Sequence, residues 1–306
     1  MGAYVLRRLL LVIPVLLGVS FVVFLAIRLI PGDPVAILLG EDYTPEAAEE
    51  MRARWGLDKP LLIQYGLFLR QVVQGDLGTS IHSGRPVTQE LGLRFKNTFQ
   101  LALMAGVLAS TIGICAGVVA GTRPFSLLDM LTMVGAVAGV SIPVFWLGLM
   151  LMYVFSVKLQ LLPAVGVGTF RHLILPGITL SAFSMATIAR QTRSSVLEVM
   201  EQDYITTARS KGVAERRVVL RHAIKNAMIP VITVQGVMIG RLLGGSIVTE
   251  TVFAYPGVGK LLIDALSGRD YPVVQGVILL YAVTFSLVNL AVDLTYALFD
   301  PRIVYD

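Results

Sequence analysis

An all-α integral membrane protein, with six transmembrane helices and an external helical insertion between the first two, is what this sequence predicts. Three observations point there. Hydrophobic residues make up 55% of the 306-residue chain and charged residues 15%, with a mean hydropathy of +0.76; ordinary soluble domains carry roughly 25% charged residues. Apolar runs lie near 9–30, 99–122, 127–157, 172–189, 228–249 and 273–298, and about 20 such residues cross the roughly 30 Å of hydrocarbon. The lysines and arginines are shared unevenly among the polar segments, which orients the spans.

The first run follows Arg7 and Arg8 but has no small-x-small cleavage site and outruns a signal peptide, so it reads as a retained span. Six spans put both termini on one side. Residues 190–226 hold eight basic residues against four acids, whereas 31–97 hold seven against nine. Both termini and 190–226 are therefore expected in the cytoplasm of a multi-pass protein of the inner or plasma membrane. The parts are an N-terminal span (1–30), an external cap (31–97), a five-span core (98–300) with a cytoplasmic segment at 199–227, and a cytoplasmic tail (301–306). The net charge of +5 follows from this topology and is no argument for nucleic-acid binding. Cys115 lies mid-span, so no intrachain disulfide exists.

Within the cap, TPEAAEEMRARWG offers Thr44 as N-cap, Pro45 at the first helical position and Gly56 as the stop. LLIQYGLFLRQVV is a second helix, ended by the turn signal GDLG at 75–78. The third run contains SIPVFW, where Pro143 removes a backbone donor and bends the helix. LLPAVG at 161–166 makes an external turn. The fifth run carries GGSIVTE, whose adjacent Gly244 and Gly245 allow close backbone approach or a broken helix beside a pathway.

Several chemistries are absent. There is no H-E-x-x-H and no G-x-S-x-G, and His82, His172 and His222 are far apart, so a metal or Ser/His hydrolase site is excluded. GVGK at 257–260 lacks the first glycine and the hydroxyl of a phosphate loop, and reads as an external turn. Ionisable residues within the spans are few: Arg241 about 20 Å into the fifth by helical rise, Glu250 near its outer end, and Asp293 near the inner end of the sixth. An ion-coupled carrier would carry more mid-depth carboxylates, so energy is expected from outside the chain. Arg241, Gly244, Gly245, Ser246 and Glu250 form the candidate pathway set. Arg241 is read either as paired with Glu250 or a carbonyl, or as a pathway cation that meets a carboxylate.

The cytoplasmic segment DYITTARSKGVAERRVVLRHAIKNAMIP (203–230) is longer than a connection needs. A helix closed by Lys211 and Gly212 is followed by a second helix. That helix puts Arg217, Arg221 and Lys225 on one face and Val219, Ala223 and Ala227 on the other. It is either an interfacial helix on anionic lipid or a docking element for a cytoplasmic protein. The small residues Thr206, Thr207 and Ala208 favour docking, because lipid binding gains nothing from them.

Here the residues resemble a family. Asp203, Tyr204, Thr207, Ala208, Arg209, Lys211 and Gly212 match the D-Y-x-x-T-A-R-x-K-G loop of binding-protein-dependent ABC importer permeases, dipeptide/oligopeptide/nickel branch; Thr206 stands where the broader pattern has glutamate. YVLRRLL, PGDP (31–34), GLDKPL, GDLGTS, SIPVFWLG, RHAIKNAMIP, GGSIVTETVFAYPGVGKLL, RDYPVVQG and VDLTYALFDPRI are similar to that branch too, in order along the chain. The resemblance implies a type I ABC importer permease fold and a transporter subunit that is not itself an enzyme. It implies a second homologous permease, two cytoplasmic ATPase subunits that carry the ATP and Mg, and an external substrate-binding protein. The chain itself holds no cofactor. Tyr204, Thr206, Thr207, Ala208, Arg209, Lys211, Gly212 and Glu215 would form the ATPase-coupling element. Peptides, including glutathione-like ones, lead as cargo, with nickel chelates and small glycans as alternatives. An ion-coupled secondary carrier and a receptor or scaffold that moves no solute are the rivals of a different class.

Overall fold

The computed structural model describes residues 2–29, 43–55 and 58–299, and among them the regular structure is all helical apart from one isolated bridge, Thr79 with Pro86. PGDP at 31–34, Gly56, and the tail at 301–306 lie outside the described residues. The helices are α1 (Gly2–Leu29), α2 (Pro45–Trp55), α3 (Leu61–Val73), α4 (Val87–Thr122), α5 (Leu127–Ser141), α6 (Val144–Met152) running into a π-helical Tyr153–Lys158, and α7 (Arg171–Met200). After them come α8 (Asp203–Ser210), a turn Glu215–Arg217 continuing through a π-helical Val218–Ala223 into α9 (Ile224–Val252), α10 (Val258–Gly268) and α11 (Tyr271–Phe299). Among the described residues four helices are long and apolar enough to span a membrane, or five if α5 and α6 count as one broken span. The apolar stretch Leu10–Ala26 of α1 is shorter.

The seam between α4 and α7 organises the bundle. Gly113, Gly117 and Gly121 recur every fourth residue and share one face of α4. A Cβ on Gly117 would sit 2.5 Å from Thr192 Cβ and 2.6 Å from the Ala189 carbonyl. One on Gly113 would lie 2.9 Å from the Met185 carbonyl, and one on Gly121 2.8 Å from Val196 Cβ. Lipid is as apolar as leucine, so helices in it associate by close van der Waals contact, and glycine permits that contact. α7, the span with the least evident hydropathy, is the most enclosed, with Leu175, Thr179, Ile188, Thr192 and Val196 buried.

One ion pair fixes α5 to α7. Arg193 donates to both carboxylate oxygens of Asp129, at 2.5 and 2.8 Å. Asp129 also accepts from the backbone of Phe125, and Ser126 Oγ caps the Asp129 N–H. A bidentate pair inside a helix N-terminus is favoured twice, by charge-assisted hydrogen bonds and by the helix dipole. At Pro143 the chain turns by 107° between α5 and α6, so residues 127–157 form two helices and not one bent rod.

Between α1 and α4 the chain forms two short helices. α2 begins as its sequence dictates, with the Ala47 N–H donating to Thr44 Oγ1, and Asp76 Oδ1 accepts from Gly78 in the GDLG turn. α3, however, packs along α1: Tyr65 Oη donates to the Leu17 carbonyl at 3.0 Å, and its ring meets Phe24 at 5.3 Å. Leu17 is about 18 Å from the end of α1 by helical rise, so α3 descends beside it, and its exposed Leu61, Leu62 and Ile63 suit that environment.

Replacing Gly117 by leucine should force α4 and α7 apart. A loss of about 1–3 kcal/mol, the usual range for overpacking, is expected as a lowered melting midpoint of the purified protein. Gly135→Ala, where nothing lies within 4 Å, should leave the midpoint unchanged.

Candidate functional site

α8 follows the end of α7 and buries one side chain. Ile205 is fully enclosed with Val218 and Ala223, and Ala208 and Val213 close the cluster. Tyr204, Thr206, Thr207 and Arg209 are exposed. The helix ends in a Schellman turn: the Gly212 N–H donates to the Arg209 carbonyl at 2.9 Å and the Val213 N–H to the Ala208 carbonyl at 3.3 Å. Gly212 has φ of +75° with no atom within 4 Å of a Cβ, so glycine is required by the backbone and not by space. Arg209 donates to both oxygens of Glu215 across this turn, at 3.1 and 2.7 Å. That hydrogen bonding holds the Arg209 guanidinium above its ordinary range against partial desolvation. Asn226 donates to Tyr204 Oη at 2.9 Å and ties the other end of α8 to α9.

The helix after the turn departs from the sequence expectation. Residues from Glu215 to Val252 are helical without a break, and Pro230 lies inside α9. Arg217, Arg221 and Lys225 are exposed as expected, and Ala223 and Ala227 are buried. Val219 is only half-buried, and Val218 takes the seam instead. The π-helical turn is the cause, since its i→i+5 bonding inserts one residue into the repeat.

The pathway set divides between two faces of α9. Arg241 and Gly244 are exposed, along with Val237 and Val248. Ser246 and Glu250 are fully buried; the surroundings of Gly245 and of Asp293 lie outside the described residues. Arg241 does not pair with Glu250, which lies nine residues further along, about 13 Å by helical rise; its guanidinium sits over the Phe183 ring at 5.8 Å. Glu250 instead accepts from Thr98 Oγ1 at 2.7 Å and from the Lys260 N–H at 3.0 Å, while Thr98 accepts from the Val258 N–H at 2.8 Å. A carboxylate borrowed from α9 thus caps the N-terminus of α10, where orphan N–H groups and the helix dipole favour an anion. Any Cβ on Gly257 would collide with that carboxylate. GVGK is therefore the opening of a helix, from Val258 onward, and not only a turn.

This arrangement has known counterparts. Residues 1–112 match the N-terminal family of binding-protein-dependent transport system membrane components, and residues 113–305 match the family described as binding-protein-dependent transport system inner membrane component. The chain belongs to this family.

Relatives of this permease include the dipeptide transport system permease protein of Alkalihalophilus pseudofirmus, 44% identical over the full length of both chains. The glutathione transport system permease protein of Pectobacterium atrosepticum is 48% identical over 99% of each, and that of Escherichia coli K12 46% identical over the same share. In fold, the chain is similar to the inward-facing MetNI methionine ABC transporter, with a TM-score of 0.58 and 19% identity, over 69% of this chain and 96% of that one. It is thus a multi-pass membrane permease of the ABC importer class, a transport subunit and not an enzyme, and it works inside a membrane-embedded complex.

Some residues that shape the permease's site carry weak sequence signals. Ile205, Asn226 and Thr98 act through partners distant in sequence and show no local pattern. The G-x-x-x-G-x-x-x-G of α4 went unread, although small residues at that spacing in an apolar run mark close helix packing.

Glu250→Ala is expected to lower the melting midpoint by the cost of orphaning buried donors, about 1–3 kcal/mol. The drop should be the same with or without cargo, because the carboxylate faces α10. An unchanged midpoint with altered uptake would instead place Glu250 on the solute's route.

Proposed function

We propose that this chain is the permease subunit of an ATP-driven importer of peptides, di- or oligopeptides or glutathione-like molecules. It forms half of a pathway with a second homologous permease. Six spans, with both termini and α8 in the cytoplasm, complete its topology. Two ATPase subunits, which carry ATP and Mg, receive α8 in a cleft, and an external substrate-binding protein delivers cargo at the opposite end. The observation that carries the reading is α8 itself: a short, largely exposed helix that buries Ile205 with Ala208 beside it, turns Thr206 and Thr207 outward, and is tied at one end by Tyr204–Asn226 and at the other by Arg209–Glu215. The peptide assignment draws on the dipeptide and glutathione permeases, which align over the whole chain.

In this reading, closure of the ATPases displaces α8. The Schellman turn and the ion pair pass the motion to α9, whose exposed face with Arg241 and Gly244 borders the route. Purification from native membranes should recover two ATPases and a second permease, and the reconstituted complex should take up labelled dipeptide only with ATP and the binding protein. Uptake by this chain alone, driven by an ion gradient, would overturn the proposal.

Gly212→Arg should abolish ATP-coupled uptake and ATPase docking. Left-handed backbone costs a side-chain-bearing residue about 1–2 kcal/mol, and the new cation would stand beside Arg209. Gly212→Asn, which tolerates that backbone, should retain most activity; equal loss in both variants would show that the turn is not the reason.

A further inference from the structure

At the end of the bundle opposite α8, a cavity of about 610 Å³ opens between the last turn of α1, α3, the 76–81 turn and the first turn of α11. Sites for small organic ligands usually span about 300–1,000 Å³. Three cations line it, Arg28, Lys59 and Arg70, against Asp76 alone, and Asp76 is already engaged with the Gly78 N–H.

Arg28 is built in place. Its guanidinium lies 3.5 Å from the Phe24 ring centroid, Nε donates to Gln64 Oε1 at 2.8 Å, and Nη1 donates to the Phe24 carbonyl at 3.4 Å. Gln64 is buried and is itself oriented by donating to the Lys59 carbonyl at 2.8 Å. A guanidinium has five N–H donors, so three remain for a ligand, in the planar fork that suits a carboxylate. Among the described residues no carboxylate pairs with Arg28. The amides of Gln71, Gln74 and Gln275 and the apolar Leu67 and Ile81 complete the wall.

We propose that this cavity binds the free carboxylate of a short peptide, with Arg28 as the anion receptor. The glutamines would meet the peptide's backbone amides, and Leu67 and Ile81 an apolar side chain. The inference rests on the peptide-importer reading and adds an external binding position on the permease itself.

The test uses the whole permease–ATPase complex in nanodiscs, without the external binding protein, and equilibrium binding of a labelled dipeptide against its C-terminal amide. The acid should bind saturably and the amide at least tenfold more weakly. Arg28→Gln should bring the acid down to the amide's level, the loss of roughly 10- to 100-fold that a charge-assisted hydrogen bond represents. Arg70→Gln, on the exposed rim, should weaken the acid less and confirms the effect without disturbing the Phe24 stack. Equal binding of acid and amide, or wild-type binding by Arg28→Gln, overturns the proposal. So does an Arg28→Gln variant that loses only docking of the external binding protein, since the cavity would then be a socket for that protein. ATP-driven uptake by the same complex in sealed proteoliposomes, with the external binding protein added, separates the two readings: peptide import without acid–amide discrimination in the binding assay defeats the cavity site alone, and no peptide import defeats the importer reading.

Discussion

Close backbone contact between α4 and α7 is the constraint on which the remaining structure depends. In water a helix pair is driven together by apolar burial, whereas in lipid that force is absent and contact distance decides association. The Gly113–Gly117–Gly121 face brings α4 onto the carbonyls of α7. With α7 so enclosed, the groups hung on it inherit its position. Arg193 presents itself to Asp129 and so sets α5, and α8 begins just beyond the α7 C-terminus. A rigid central helix with a short helix at its end is a suitable lever, because a load applied at α8 is not dissipated by sliding of α7 against α4.

Charges within the bundle follow the same economy. Asp129 and Glu250 are each committed to a helix N-terminus, and neither is left to face an open route. A buried carboxylate is tolerable only when hydrogen bonds replace its hydration, and both satisfy that condition through hydroxyl, guanidinium or backbone donors. What remains exposed on α9 is a cation. Asp129 and Glu250 are thus both taken up by structural hydrogen bonds, and neither carboxylate is available for proton or sodium coupling.

Local chemistry was legible in the sequence and long-range chemistry was not. Thr44 before Pro45, the GDLG turn, the Lys211–Gly212 stop and the break at Pro143 follow from backbone preferences that need only a few neighbours. The all-helical, apolar character and the permease family were equally plain. Asp129 with Arg193, 64 residues apart, and Glu250 with Thr98, 152 residues apart, left no such trace. Glu250 therefore reads in sequence as a route residue, whereas its carboxylate accepts hydrogen bonds at the N-terminus of α10. The descent of α3 along α1 was missed for another reason: an apolar helix of 13 residues reads equally well as a cap element and as one lying beside a span.

The π-helical turn at Val218–Ala223 sets more than a local irregularity. Buried positions run 218, 223, 227 and 231, a step of five followed by steps of four. The extra residue acts like an offset tooth between two gears: it lets Val218 meet Ile205 while Ala227 and Val231 keep their side of the membrane bundle. The length of this segment, more than its composition, therefore determines the angle at which α8 is presented below the span.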